Sequence, residues 1–138
     1  MDSSAIRVMA VSESGQYHAV LHGILDHFEY DLNSAYSVVQ ALDFLHLGSV
    51  AIIICDRELP DGTWKDLFKE SALQSRHSYL IVTSNLAHDT DLWGEVLNMG
   101  GGEVLAMPFE PAEVIGSVKT GGHHWKRTVQ PTLPSCDS

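Results

Sequence analysis

Basic side chains are scarce: 8 Lys and Arg stand against 18 Asp and Glu, for a formal net charge of −10. Such a surface repels phosphate backbones, which argues against direct binding of DNA or RNA. Cysteine is nearly absent. Its two copies, Cys55 inside an apolar run and Cys136 near the end, make no disulfide framework. No apolar run approaches the roughly 20 residues that a membrane span needs. The opening MDSSAIRV is acidic and polar, unlike a secretory signal. A cytoplasmic location is the expectation that these absences leave.

What is present suits one folded domain. The chain has 138 residues, of which 44% are hydrophobic, enough for one core and too few for two. Apolar runs alternate with helical periods. Residues 6–11 (IRVMAV) read as a first strand, and Leu21, Ile24, Leu25 and Phe28 place a first helix over 16–28. Residues 30–35 form a weaker, partly polar strand, as at a sheet edge. Val38, Val39, Leu42 and Leu45 mark a second helix that Gly48 stops. Residues 50–55 (VAIIIC) form the strongest strand, continuous as in a strand buried on both faces.

A loop over 56–62 follows, then a helix carrying Trp64, Leu67 and Phe68, and a strand at 79–83. A helix over 91–99 ends at three glycines, 103–106 is a short strand, and Pro111 opens a last helix through Val118. Gly121-Gly122 leaves the end of that helix open. Residues 1–127 are assigned to the domain and 128–138, rich in Pro, Ser and Thr, to a disordered tail. Five strand–helix units in alternation predict an α/β domain with a parallel sheet and right-handed crossovers.

In such a sheet, ligands sit beyond the carboxyl ends of the strands. The residues leaving the strands there are Ser12, Glu13 and Ser14; Asp56, Arg57 and Glu58; Thr83, Ser84 and Asn85; and Met107, Pro108 and Phe109. Carboxylates and hydroxyls dominate this rim, a set that suits a hard cation and a phosphoryl group.

The run Ile54-Cys55-Asp56-Arg57-Glu58-Leu59-Pro60-Asp61-Gly62 resembles the phosphoacceptor motif of bacterial response-regulator receivers, where an aspartate ends the third strand and an apolar-Pro pair follows. The resemblance extends from Ile6 to about Lys119 and includes Thr83-Ser84 and Met107-Pro108-Phe109, which is similar to a Lys-Pro-Phe of the family. It implies a three-layer, doubly wound, flavodoxin-like (βα)5 fold with strand order 2-1-3-4-5. It implies that Asp56 takes a phosphoryl group from a histidine kinase or phosphotransfer protein. Mg²⁺ would be held by Glu13, Asp56 and the backbone carbonyl of Glu58. Thr83 would turn its hydroxyl onto the phosphoryl group, and the small Ser84 would leave room for the donor. A downstream protein target would read the switched surface, and a homodimer would form through the face from the fourth to the fifth helix. The domain is then a phosphoacceptor rather than a conventional enzyme.

Three positions depart from that pattern. Ser12 replaces one of two acidic residues, Met107 replaces a lysine, and Val104 stands where an aromatic is common. A thioether carries no charge and cannot replace the ammonium. Two readings therefore stand: a working phosphorelay receiver, and a pseudo-receiver that binds partners without phosphorylation. A flavodoxin-like cofactor enzyme is a distant third, because Ser12-Glu13-Ser14-Gly15 is acidic where a Gly-rich phosphate turn belongs.

Other features read more simply. His18 and His22, four apart, are expected on a solvated helix face, since no further ligand is arranged with them. Trp64 and Trp93 are expected in the core or lining a groove. His123-His124-Trp125-Lys126-Arg127 is expected in a frayed terminal helix, and the triple glycine as a helix stop.

Overall fold

The computed structural model describes residues 6–74, 77–85, 90–99 and 102–129. Its elements are β1 (Ile6–Val11), α1 (Gly15–Leu25), β2 (Tyr30–Ala35), α2 (Val38–Leu47), β3 (Ile52–Asp56), β4 (Glu58–Leu59), β5 (Gly62–Thr63), α3 (Trp64–Ala72), β6 (Tyr79–Ser84), α4 (Thr90–Met99), β7 (Glu103–Ala106) and α5 (Pro111–Val129). Five strands pair in parallel in the order β2-β1-β3-β6-β7. Numbered among the five main strands, this is 2-1-3-4-5, as expected. Helices cover both faces, so the central strands are apolar on both sides.

Strand alternation divides the core into two layers. One side chain set from the strands, including Met9, Val11, Ile53, Cys55 and Val82, packs against Trp64, Leu67, Leu92 and Val96 of α3 and α4. The other set, including Val8, Ala10, Ile52, Ile54 and Ile81, packs against Tyr17 and Leu21 of α1 and Val114 and Val118 of α5. Local chemistry starts the helices. Ser14 and Ser37 accept from backbone N–H groups in the first turns of α1 and α2, and Thr63 forms a capping box with Asp66 at α3.

Several boundaries differ from the expectation. The first helix stops at Leu25, so Phe28 lies beyond it and packs beside Tyr30, with ring centroids 6.1 Å apart. The third strand begins at Ile52 and includes Asp56. The segment read as a loop contains a small antiparallel hairpin, in which Glu58 pairs with Thr63 and Leu59 with Gly62. Two-residue strands are too short to show a period in sequence.

The last helix continues through Gly121-Gly122 to Val129 and reaches into the segment assigned to the tail. Those glycines serve close packing: a Cβ on Gly121 would lie 2.8 Å from the Tyr79 ring and 2.9 Å from Ile52. His123, His124 and Trp125 are accordingly helical, and Trp125 packs against the α1/α5 layer. Gly100 and Gly101, Cys136 and the residues from 130 onward lie outside the described residues.

Candidate functional site

Four strands deliver their last residues to one rim. Following the alternation, Ser12 continues the Val8, Ala10 side of β1, Asp56 the Ile52, Ile54 side of β3, and Thr83 the side of Ile81 on β6. All three therefore point into the layer of α1 and α5. Asp56 and Thr83 are direct partners in the parallel register of β3 and β6. Ser12, Thr83 and Ser84 are buried, whereas Asp56 is half-buried and can meet a ligand from solvent.

The Asp56 carboxylate is held at both oxygens. Ser12 Oγ donates to Oδ2 at 3.2 Å, and the Arg57 backbone N–H donates to Oδ1 at 3.0 Å. Ser12 Oγ in turn accepts from the Ser14 N–H at 3.1 Å, which fixes the hydroxyl. Burial pushes the Asp56 carboxyl above the ordinary aspartate range; these two hydrogen bonds oppose the rise, and the charges of Glu13 and Glu58 add to it. Glu13 itself is exposed, as is Glu58.

Negative charge gathered around a half-buried carboxylate suits a hard cation. The donor set is nonetheless thin, because among the described residues no three His, Cys, Asp or Glu side chains are grouped to hold a metal. Mg²⁺ keeps several waters by preference, so Asp56 would hold it with Glu13 and the Glu58 carbonyl only if water completed the shell.

The loop after Asp56 is anchored by Asp61. Its carboxylate accepts from the Val38 and Val39 N–H groups at the start of α2, at 2.7 and 3.1 Å. Those bonds hold its carboxyl below the usual range. The Asp-Gly pair in sequence suggests a turn, and only the fold reveals the helix it caps.

Met107 packs against the α1/α5 layer, as does Phe109, while Val104 packs against the opposite one. The Met107 N–H donates to the Ser84 carbonyl at 2.8 Å, and the Met107–Pro108 peptide is cis.

Two residues that sequence reasoning missed border the site. Tyr17, on the first turn of α1, is 3% exposed, and its hydroxyl lies 2.9 Å from Thr83 Oγ1. His18 is also buried, contrary to the solvated position expected for it. Its Nε2 bonds the Ser12 carbonyl at 2.8 Å and its ring lies 4.3 Å from that of Tyr36. His22 does face solvent, near Ser34 Oγ at 3.2 Å. Of the tryptophans, Trp64 is buried and Trp93 is exposed on α4.

No protein-family model matches the sequence, and no curated protein is detectably similar to it. Solved structures are similar in fold. The signal receiver domain of an HD domain-containing protein from Pseudomonas fluorescens Pf-5 superposes with a TM-score of 0.83 at 18% identity, covering 95% of this chain and 96% of that one. A CheY-like response regulator receiver domain protein from Methanospirillum hungatei JF-1 gives 0.78 at 18% identity, covering 91% and 99%. The chemotaxis response regulator CheY4 of Vibrio cholerae gives 0.76 at 19% identity, covering 86% and 99%. The chain thus has the fold of response-regulator receiver domains.

Proposed function

We propose that this receiver fold acts as the switch of a two-component phosphorelay, with Asp56 as phosphoacceptor. One observation carries the reading. A half-buried carboxylate, Asp56, ends the central strand beside the buried hydroxyl of its register partner, Thr83, at the strand ends where this fold binds ligands. In the transfer, an Asp56 oxygen attacks the phosphorus of a phosphohistidine on a kinase or phosphotransfer protein. The P–O bond forms as the P–N bond breaks, and the electron pair goes to the imidazole nitrogen, which is protonated as it leaves.

The donors from Ser12 and Arg57 orient the carboxylate for in-line attack. A carboxylate made more basic by burial is also a better nucleophile while it stays ionised. Mg²⁺ held by Asp56, Glu13 and the Glu58 carbonyl would neutralise charge on the phosphoryl oxygens. Thr83 would turn towards the acyl phosphate, and the small Ser84 admits the donor. Met107 provides no cation there, so transfer should be slower than with a lysine. The chain is in this reading an acceptor that shares in its own phosphotransfer, not a conventional enzyme.

Trp93 and Leu97, exposed four residues apart on α4, support a protein-binding surface for a downstream target or a second copy through the α4–α5 face. The net charge of −10 disfavours nucleic acid. No helix among the described residues is long and apolar enough to cross a membrane. A cytoplasmic setting fits a kinase partner.

The test is labelling with acetyl phosphate and Mg²⁺, followed by intact mass. One phosphoryl adduct is expected, lost in Asp56→Asn. No adduct under conditions that label an ordinary receiver would sink the reading. Ser12 and Met107 favour a second one, a phosphorylation-independent interaction module. It requires partner binding indifferent to Asp56→Asn and to removal of Mg²⁺, and a large affinity loss from either change rules it out.

A further inference from the structure

Tyr17 reaches the acceptor site from a helix rather than from a strand end. Its hydroxyl and that of Thr83 lie 2.9 Å apart, both inside the α1/α5 layer. The Tyr17 ring stands edge-on to Phe109, with centroids 5.1 Å apart. Met107 packs against this same cluster and supplies no strong donor. Burial keeps the phenol well above its usual range, so it is neutral and has one proton to give. The charge of Asp56 contributes to the same shift, which places the phenol within electrostatic reach of the acceptor.

Either hydroxyl can donate in this pair, and a second contact of Thr83 bears on which one does. Thr83 Oγ1 also donates to the Cys55 carbonyl, at 3.4 Å, a long and weak bond. Thr83 has a single hydroxyl proton. When that proton goes to Cys55, the Tyr17 O–H must be the donor to Thr83 Oγ1. A buried phenol without a partner is costly, so Tyr17 and Thr83 cannot part without one of them finding a replacement.

We propose that Tyr17 is the positioning residue of the Thr83 hydroxyl and carries the state of Asp56 into α1. This rests on the phosphoacceptor reading. Before transfer, Tyr17 holds Thr83 in its present rotamer. When Thr83 turns its proton to a phosphoryl oxygen on Asp56, its bond with Tyr17 is broken or redirected. The phenol follows or re-partners, and Phe109 and the start of α1 shift with it. The readout then leaves through α1 and the segment before α5, which suits a chain whose β7 carries Val104 in place of an aromatic.

The test uses the full chain labelled with 3-fluorotyrosine. It has four tyrosines, and the Tyr17 fluorine signal is assigned by its loss in Tyr17→Phe. Wild type, Thr83→Ser and Thr83→Val are driven with acetyl phosphate and Mg²⁺ to the same labelled fraction, set by intact mass. The Tyr17 signal is expected to move on labelling in wild type and in Thr83→Ser, which retains the hydroxyl, and to lose that response in Thr83→Val. A wild type that is labelled with no movement of Tyr17 overturns the proposal alone. So does an undiminished response in Thr83→Val, which would be a bare effect of the phosphoryl charge. A wild type that accepts no label overturns this proposal together with the phosphoacceptor reading.

Discussion

The two faces of the sheet are built from the same strands and do different work. On the α3/α4 side the core is apolar as far as the strand ends, where the buried Ser84 follows Val82: Met9, Val11, Ile53, Cys55 and Val82 meet Trp64, Leu67, Leu92 and Val96. On the α1/α5 side the apolar layer ends in Ser12, Asp56 and Thr83, with Tyr17 and His18 of α1 buried beside them. A buried hydroxyl must be paired, so each polar group on this face constrains its neighbours. The contrast teaches how a two-residue period lets one strand supply a dry face for stability and a wet face for chemistry. Cys55 and Asp56 show the division within a single dipeptide. The Cys55 thiol is pushed far up by burial and is inert, while the next residue meets solvent.

The largest break in this comparison comes from the dry face. Trp64 is 2% exposed and stands edge-on to Phe68 at 6.5 Å. Trp64→Ala should cost about 3–5 kcal/mol, from lost transfer energy and the cavity left behind. Urea unfolding measures this. A cost below about 1 kcal/mol would mean that the dry layer does not carry the stability assigned to it.

The α1/α5 face is intolerant of added volume where α5 approaches the sheet. Gly121→Ala sets two effects against each other. Alanine favours the helix by about 1 kcal/mol over glycine. Its Cβ would stand 2.8 Å from Tyr79 and 2.9 Å from Ile52, both below any ordinary contact. Ile52 is wholly buried, and the Tyr79 hydroxyl is tied to Glu103 at 2.9 Å, so neither side chain yields freely. Overpacking costs about 1–3 kcal/mol, so after the helix gain the net should be a loss of up to about 2 kcal/mol. A gain in melting temperature would show that α5 can lift off the sheet without penalty.

This helix also marks where sequence legibility ends. The parallel α/β class and the placing of Asp56 and Thr83 at the rim were readable, because a strand covered on both faces must be continuously apolar and its carboxyl end must emerge at the rim. The strand order followed only from the resemblance to receivers. Gly121-Gly122 left the end of the helix open because glycine is a poor helix former, a local preference that close packing on Tyr79 and Ile52 overrides. Tyr17 and His18 were not legible for a related reason. Their burial depends on what α5, Phe109 and Tyr36 bring against α1, and the spacing within α1 contains none of that information. Asp61 capping a helix 23 residues earlier is likewise a tertiary fact.

The smallest effect should be opposite in sign to the other two, and it is the sharpest mark of a wet face. Asp56 has its carboxyl raised by burial and by Glu13 and Glu58, in spite of its two hydrogen bonds. A carboxyl whose folded pKa exceeds its unfolded value binds protons more readily in the native state. Stability then falls as pH rises from the unfolded aspartate pKa, about 3.9, through the raised native value. Above that window the charged form carries its full penalty. Asp56→Asn removes the charge and keeps an oxygen for one of the donors from Ser12 and Arg57. At neutral pH it should therefore stabilise the protein, by about 1 kcal/mol at most, because half of the side chain faces water and screening discounts the gain. Below about pH 3 the gain should shrink towards zero, since the wild-type carboxyl is then largely protonated in both states. Paired urea titrations at the two pH values check the sign. If Asp56→Asn is destabilising at neutral pH, the bonds from Ser12 and Arg57 outweigh burial, and Asp56 serves the structure as the residues of the dry face do.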